Sequence, residues 1–227
     1  LDPSSPPPSI ESLPFDALAM EFRRALEDHQ LSLNYQPIIN LETGLVCGFE
    51  TLMRWNHPTY GPISPAVFIP IAEQTGLIVE ASKWALKEAV AALKRLESHV
   101  GHNENIYMSV NFSPSELAST SFLDDMYNVI SVSDVRPVQI QLEVTGELLA
   151  IQTDTAKKTL GICRKTGLKI AIDDFKAQQC EAVLMTGARA RPFNKFAATV
   201  EAIGAVPTNT VTHNLIEVVS SPKAAKY

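Results

Sequence analysis

The chain has 227 residues, of which 45% are hydrophobic and 19% charged, and its formal net charge is −6. This length and apolar fraction predict one large globular domain with a real core. The acidic balance argues against binding to a DNA or RNA duplex, because nucleic-acid scaffolds normally present basic patches. No apolar run is long enough to span a membrane. The three cysteines show neither disulfide nor zinc spacing, which predicts a cytoplasmic protein or the cytoplasmic part of a membrane-anchored one.

The chain opens with a proline- and serine-rich stretch. Residues 1–14 are predicted to be a stiff linker from an upstream sensor or signalling domain in the same polypeptide. Apolar residues at helical spacing then predict a helix from Asp16 to His29. A period-two pattern follows and predicts a β-hairpin, with one strand over Leu31–Pro37 and a second running towards Arg54.

Strands and helices alternate along the next part of the chain. Helices are predicted over Pro65–Gln74, Val79–Ser98, Phe122–Ile130 and Thr153–Lys165, and strands over Ile106–Phe112, Ile140–Val144 and Leu168–Asp173. Crossovers of this length predict an α/β protein with a parallel sheet, either closed into a barrel or open. Residues 205–227 lack clear periodicity, so a C-terminal tail and a terminal strand both stay open there.

Oxygen-bearing side chains recur at the ends of the predicted strands. They are Glu50, Asn111, Glu143, and Asp173 with Asp174. The carboxyl ends of parallel strands meet on one face, where sites are built. A single acid in such a place is more often a helix cap or a solvated residue, so the prediction depends on the recurrence over four strands. Clustered carboxylates need a cation, and oxygen-only ligands suit Mg²⁺ or Mn²⁺ rather than zinc or copper.

Several ordered motifs in the chain resemble those of the EAL domain family. They are Tyr35–Ile38, Gly48–Pro58, Ile63–Pro65, Phe68–Glu73, Ser109–Pro114, Leu142–Thr145 and Ile172–Phe175. The signature Glu-Ala-Leu triplet of that family appears here as Glu50-Thr51-Leu52. So many motifs in the same order make the resemblance highly specific.

The resemblance implies a fold, an activity and a set of site residues. The fold is a TIM-like (β/α)8 barrel, and residues 15–204 are predicted to form the EAL phosphodiesterase domain. The activity is hydrolysis of cyclic-di-GMP to linear pGpG in bacterial second-messenger signalling, with Mg²⁺ or Mn²⁺ as two ions. The implied metal ligands are Glu50, Asn111, Glu143, Asp173 and Asp174, of which Glu50, Asp173 and Asp174 are also the implied catalytic residues. Gln36 and Arg54 would hold the substrate, and the planar fork of Arg54 suits a phosphate. Family members often dimerise, so a homodimer stays open.

The chain departs from the family pattern in three places. Thr51 replaces the signature alanine, and Gly146 stands where a second glutamate is usual, while the neighbouring Glu147 is expected to point elsewhere. After Phe175 the chain passes at once to Lys176, whereas the family continues with a glycine-rich loop and a strand that carries a catalytic lysine. Barrel strands six to eight are therefore missing from the sequence. A barrel without them is expected to expose two unpaired strand edges.

Two interpretations of the missing segment are open. Either this sequence omits a stretch between Phe175 and Lys176, or the protein is truncated and inactive, because the water-activating lysine is absent. Gly146 and the break after Phe175 support an alternative function, in which a degenerate EAL domain binds cyclic-di-GMP or a protein partner without catalysis. An unrelated TIM-barrel metal enzyme, such as an enolase-like lyase, would need a lysine or histidine base at a strand end, and none stands there. His57 is predicted to be structural, Glu73 a helix-end contact and Trp84 a core residue.

Overall fold

A computed structural model describes residues 10–40, 43–100, 106–145, 154–173, 206–212 and 215–219. Within these ranges the strands are β1 (Leu31–Ile39), β2 (Val46–His57), β3 (Gly61–Ile63), β4 (Tyr107–Phe112), β5 (Ile140–Thr145), β6 (Lys169–Asp173), β7 (Val206–Thr212) and β8 (Leu215–Val219). The helices are α1 (Phe15–Glu27), α2 (Pro65–Thr75), α3 (Ile78–Val100), α4 (Pro114–Leu117), α5 (Phe122–Ser131) and α6 (Asp154–Lys165). None of these helices combines the length and the apolarity needed to cross a lipid bilayer.

One sheet contains all of these strands. Its order is β1-β2-β4-β5-β6-β8-β7, with the short β3 paired to β2. The inner neighbours β2, β4, β5 and β6 are parallel to one another. Helices connect these parallel strands in the chain, as crossover connections require. The predicted α/β class, the parallel sheet and the opening hairpin of β1 and β2 are confirmed.

The helix boundaries follow the signals in the sequence. Ser64 caps α2 by accepting a hydrogen bond from the backbone nitrogen of Ala66 at 3.3 Å, and Pro65 follows it at the first helical position. Gly76 ends the same helix with a φ of 74°, in the left-handed region that favours glycine. The predicted helices and strands are present, and apart from the second strand their ends are shifted by at most two residues.

The second strand does not end at Glu50, as the sequence analysis expected, but continues beyond it. β2 pairs with β4 only from Gly48 to Thr51, and then continues to His57 between β1 and β3. Glu50 therefore lies within the strand, near the end of its parallel pairing. The strand continues because its far half gains hydrogen bonds from the two antiparallel neighbours after β4 has ended.

Two further strands follow the parallel part of the sheet. β8 pairs antiparallel with β6 over Ile170–Ile172, and β7 pairs with β8 and approaches β1. The expectation of an unpaired edge at β6 is wrong, because β8 occupies that edge. In the described residues the hairpin of β7 and β8 thus lies next to β6 in the sheet, where the resemblance implied further parallel strands.

The two faces of the parallel strands differ in character. Alternate residues such as Val110, Leu142 and Ile172 point towards the helices and belong to one apolar core. The intervening residues on the opposite face include Ser109 and Glu143, which are buried and polar. Because side chains alternate along a strand, the helices cover the apolar face and the polar residues collect on the other.

A second apolar core lies where α1 and α2 meet β2. Phe22, Trp55 and Phe68 form its centre, with ring centroids 5.4 to 5.9 Å apart. Trp84 on α3 packs against both cores, which confirms its predicted core role. This second core fixes β2 to the helices that precede and follow it.

Gly48 is the position on β2 where a side chain cannot fit. A Cβ atom there would lie 2.9 Å from the carbonyl oxygen and from two ring atoms of Tyr107. We expect Gly48→Ala to lower the free energy of unfolding by about 1–3 kcal/mol, because the strand backbone must shift. A Cβ atom at Gly161 in α6 would have no neighbouring atom within 4 Å. Gly161→Ala should therefore stabilise the protein by about 0.5–1 kcal/mol. Urea unfolding of both variants checks the pair, and equal stability of Gly48→Ala and wild type would contradict the packing argument.

Candidate active site

The strand register brings the predicted site residues onto neighbouring strands. Gln36 on β1 pairs with Glu50 on β2, and Glu50 pairs with Ser109 on β4. Two residues further along β4, Asn111 pairs with Glu143 on β5. Glu50, Asn111 and Glu143 thus lie on three adjacent strands, on the face that the helices do not cover.

Two of these side chains are in direct contact. The amide nitrogen of Asn111 lies 3.5 Å from Oε1 of Glu50, a long and therefore weak hydrogen bond. Asn111 is exposed and Glu50 half-buried. A side chain on β4 and one on β2 therefore meet at the site, as the strand-end prediction requires.

Glu143 lies deeper than the other two. Only 1% of it is exposed. Its Oε2 accepts a hydrogen bond of 2.6 Å from the hydroxyl of Ser109. Solvent exposure therefore falls across the site, from the exposed amide of Asn111 on β4 to the buried carboxylate of Glu143 on β5.

The remaining predicted ligands are only partly described. The backbone of Asp173 ends β6 and pairs with Thr145 on β5, which continues the same staggered line of residues. The side chain of Asp173 and all of Asp174 lie outside the described residues, as do Gly146, Glu147 and Lys176.

The described donors can be tested for their fit to a metal ion. In the described ranges no three His, Cys, Asp or Glu side chains gather into a metal site. Those ranges hold two of the predicted acids, Glu50 and Glu143, together with the amide of Asn111. All of these donors are oxygen atoms, the type that Mg²⁺, Mn²⁺ and Ca²⁺ prefer. The described part therefore fits one half of an oxygen-ligand cation site.

Arg54 lies beside a cavity next to these donors. The cavity has a volume of about 350 Å³, and its lining includes Asn111, Arg54, Glu73 and Glu116. Arg54 is half-buried, and its Nη1 donates to the carbonyl oxygen of Met53 at 2.9 Å. Gln36 is exposed on β1, opposite Glu50. Arg54 and Asn111 thus border one cavity. Gln36 is related to the site through its position opposite Glu50 in the β1–β2 pairing.

Sequence reasoning missed the short helix that follows Asn111. Ser113 begins α4, and its hydroxyl accepts from the backbone nitrogen of Glu116 at 3.4 Å. The Glu116 carboxylate in turn accepts from the backbone nitrogen of Ser113 at 2.7 Å. Burial raises the pKa of Glu116. The Ser-x-x-Glu spacing is a capping-box signal and could have predicted this turn from the sequence.

His57 has the structural role that was predicted for it. Its Nδ1 accepts hydrogen bonds from the backbone nitrogens of Thr59 and Tyr60 at 3.0 and 3.2 Å. Nε2 therefore carries the proton and donates to Glu21 at 3.2 Å. The ring joins α1 to the turn after β2.

Glu73 has a helix-end contact and also borders the site. Its backbone carbonyl accepts from the nitrogen of Gly76 at 3.2 Å, at the end of α2. Its exposed side chain also lines the cavity beside Arg54, which sequence reasoning did not expect.

The comparisons with known proteins decide the family. The family model of the EAL domain matches residues 19–184. The chain belongs to the EAL domain family. The prediction from the motifs is therefore confirmed, and the match extends past the junction of Phe175 and Lys176.

Two curated relatives of this EAL domain come from Pseudomonas aeruginosa. The cyclic di-GMP phosphodiesterase NbdA is 36% identical over 155 residues, which is 68% of this chain and 20% of NbdA. The bifunctional diguanylate cyclase/cyclic di-GMP phosphodiesterase MucR is 38% identical over 159 residues, 70% of this chain and 23% of MucR. The chain therefore spans about a fifth of the length of these relatives.

Solved structures agree on the fold. The PaMucR phosphodiesterase, a c-di-GMP complex, has a TM-score of 0.65 and 36% identity, and the match covers 70% of this chain and 64% of that one. The EAL enzyme Bd1971, in its cAMP- and cyclic-di-GMP-bound form, has a TM-score of 0.67 and 27% identity, covering 73% and 46%. This EAL domain thus shares its α/β fold, with a central parallel sheet, with solved EAL domains, and the closed (β/α)8 barrel stays a prediction that is consistent with them.

Thr51, which replaces the signature alanine, links β2 to β4 next to the site residue Glu50. It is buried, and its hydroxyl donates to the carbonyl oxygen of Ser109 at 2.8 Å. We expect Thr51→Ala to lower the free energy of unfolding by about 0.5–1.5 kcal/mol, because this buried hydrogen bond joins β2 to β4. Urea unfolding measures the change.

A matched control for Thr51 is available on α2. The hydroxyl of Thr75 donates at 2.7 Å to the carbonyl oxygen of Ile71, within its own helix. Thr75→Ala removes a bond that joins no strands and should change stability less. If both variants unfold alike, the hydroxyl of Thr51 does not contribute through the link between β2 and β4.

Proposed function

We propose that this EAL domain hydrolyses cyclic-di-GMP to linear pGpG with the help of divalent cations. The observation that carries the proposal is the contact between Glu50 and Asn111, with Glu143 opposite Asn111 on the next strand. Oxygen ligands from successive parallel strands are the arrangement that a phosphodiester hydrolase needs to hold a hard cation.

The relatives support the same substrate and reaction. NbdA is named as a cyclic di-GMP phosphodiesterase, and PaMucR has been solved as a c-di-GMP complex. Both exceed 30% identity to this chain. Because the chain spans only part of each relative, the activity is carried over here as a proposal.

EAL domains generally depend on a divalent metal. We assign two ions, Mg²⁺ or Mn²⁺, to Glu50, Asn111, Glu143, Asp173 and Asp174. When bound, such ions acidify water and neutralise charge on a phosphate. Among the protein groups, Glu50, Asp173 and Asp174 are the proposed catalytic residues. The contribution of the chain is to hold these oxygens on adjacent strands before substrate arrives.

Arg54 and Gln36 are the proposed substrate-binding residues. Arg54 lies at the cavity beside Asn111, where its guanidinium can pair with a phosphate through two parallel hydrogen bonds. Gln36 lies next to Glu50 across the hairpin and can bind the substrate from the side of β1. In this arrangement, Arg54 on β2 and Gln36 on β1 hold the substrate from two directions around Glu50.

The cellular setting follows from the same proposal. Cyclic-di-GMP signalling places the domain in the cytoplasm, free or as the cytoplasmic part of an anchored protein. We propose residues 15–204 as the EAL domain and residues 1–14 as a linker to an upstream domain. MucR, which carries two activities, is an example of such a multidomain relative. A homodimer is compatible with this arrangement, and no DNA or RNA duplex is expected as a partner.

Removal of a proposed ligand tests the activity. With Mn²⁺ and cyclic-di-GMP, we expect Glu50→Ala and Asn111→Ala to reduce pGpG formation by about 100-fold or more, the scale of losing one transition-state stabiliser. Chromatography of the products measures the rate. Ser133→Ala is the control, because its hydroxyl bonds local backbone groups away from the proposed ligands: it donates to the carbonyl oxygen of Ile130 at 2.8 Å and accepts from the nitrogen of Val135 at 3.4 Å.

Two results would contradict the proposal. If wild-type protein binds cyclic-di-GMP in calorimetry but forms no pGpG, the domain is a receptor and the proposed reaction is wrong. If Asn111→Ala turns over at the wild-type rate, the assigned ligand set is wrong.

Arg54→Lys separates substrate binding from metal binding. The lysine keeps the charge but loses the planar fork. We expect KM for cyclic-di-GMP to rise by about tenfold, which corresponds to roughly 1.4 kcal/mol of binding energy. The affinity for Mn²⁺ alone should stay unchanged. A loss of Mn²⁺ affinity in this variant would show that Arg54 acts on the metal site instead.

A further inference from the structure

Three buried polar side chains form a hydrogen-bonded chain on the face of the site. Gln141 donates from Nε2 to the hydroxyl oxygen of Ser109 at 3.1 Å. The hydroxyl of Ser109 donates to Oε2 of Glu143 at 2.6 Å. Gln141 and Ser109 are 0% exposed and Glu143 is 1% exposed. This series of hydrogen bonds joins Glu143, a proposed metal ligand, to two residues to which no role has been assigned.

The strand register explains why these three side chains meet. Ser109 on β4 lies directly opposite Gln141 on β5, one row below the pair of Asn111 and Glu143. Gln141 and Glu143 are two residues apart on β5, so both point to the same face. The carboxylate of Glu143 therefore reaches diagonally to Ser109, while Asn111 in its own row reaches towards Glu50.

Each hydrogen bond in this series has a defined donor and acceptor. An amide nitrogen can only donate, so the hydroxyl oxygen of Ser109 accepts from Gln141. The single proton of the hydroxyl is then directed at Glu143. A distance of 2.6 Å is in the range of a hydroxyl bound to a carboxylate, which is stronger than a neutral hydrogen bond.

The backbone of Ser109 is held as well as its side chain. Thr51 on β2 donates to the carbonyl oxygen of Ser109 at 2.8 Å. Ser109 is thus bound from β2 through its backbone and from β5 through its side chain. Its hydroxyl has little freedom to turn away from Glu143, because the residue is fully enclosed.

We propose that Ser109 is a positioning residue that orients the carboxylate of Glu143 for a divalent cation, and that Gln141 directs the hydroxyl of Ser109. This inference rests on the proposed function, in which Glu143 is a metal ligand. Hydrogen bonds from outer partners orient metal-binding carboxylates, and loss of such a partner typically costs about 10–100-fold in metal affinity or activity.

The test measures Mn²⁺ binding to the intact chain by calorimetry, without substrate. We expect Ser109→Ala to weaken Mn²⁺ binding by about 10-fold or more. kcat with cyclic-di-GMP should fall, while KM changes little, because Ser109 is 0% exposed. Ser109→Thr keeps the hydroxyl and should restore most of the affinity. Gln141→Leu, which removes the donor to Ser109, should shift the affinity in the same direction by a smaller factor.

Two controls separate positioning from folding. Ser133→Ala removes a hydroxyl at the end of α5 and should leave Mn²⁺ binding unchanged. Circular dichroism and urea unfolding show whether each variant is folded under the conditions of the titration. If Ser109→Ala does not fold, the inference is decided by Gln141→Leu, in which Ser109 and Glu143 are both retained.

The outcomes distinguish this inference from the function on which it rests. Suppose that wild type binds Mn²⁺ and that Glu143→Gln abolishes this binding. If folded Ser109→Ala then binds as tightly as wild type, or, where Ser109→Ala does not fold, if Gln141→Leu does, the positioning role is overturned while the proposed function stands. If wild-type protein binds no Mn²⁺ and forms no pGpG, both are overturned.

Discussion

The burial of the Glu143 carboxylate is the constraint on which the site depends. An ionised carboxylate taken out of water loses several kcal/mol of hydration, which must be offset by hydrogen bonds or by a cation. The hydroxyl of Ser109 supplies one strong hydrogen bond. A divalent ion beside the carboxylate would add a larger compensation. The metal-ligand role proposed for Glu143 would account for an acid at a place where an apolar residue could be buried at lower cost.

The parallel register converts this local constraint into a site. β2, β4 and β5 pair so that Glu50, Ser109 and Gln141 fall in one row, and Asn111 and Glu143 in the next. A slip of one residue in either pairing would turn these side chains to the face that the helices cover. Gly48 and Thr51 help to prevent such a slip, because Gly48 lets Tyr107 approach β2 and Thr51 bonds across to β4. The residues that fix the register thus flank the proposed ligand on β2.

The sequence predicted the fold class, the family and the strands that carry the site, because period-two and helical patterns are local signals. It predicted a second strand running towards Arg54, while also placing Glu50 at a strand end, and it did not predict the continuation to His57, since that extension depends on pairing with β1 and β3. The hydrogen bonds that join Ser109 and Gln141 to Glu143 were also missed. A buried serine in a strand looks like any small core residue, and its partner is 32 positions away in the chain. Only the register between the strands brings the two together.

The hairpin of β7 and β8 has a different relation to the site from that of the parallel strands. β8 runs antiparallel to β6, with Ile216 opposite Ile172. The end of β8 that lies near Asp173 is therefore its amino end. The hairpin pairs the edge of β6, which removes a template for aggregation. β7 is antiparallel to β8 and therefore runs in the same direction as β6, so its carboxyl end at Thr212 lies beside Leu215 at this edge of the sheet. The ligands proposed within the described strands all lie on β2, β4, β5 and β6, and none is proposed on the hairpin. The orientation of each carboxylate on these four strands is therefore decisive for whether this chain hydrolyses its substrate.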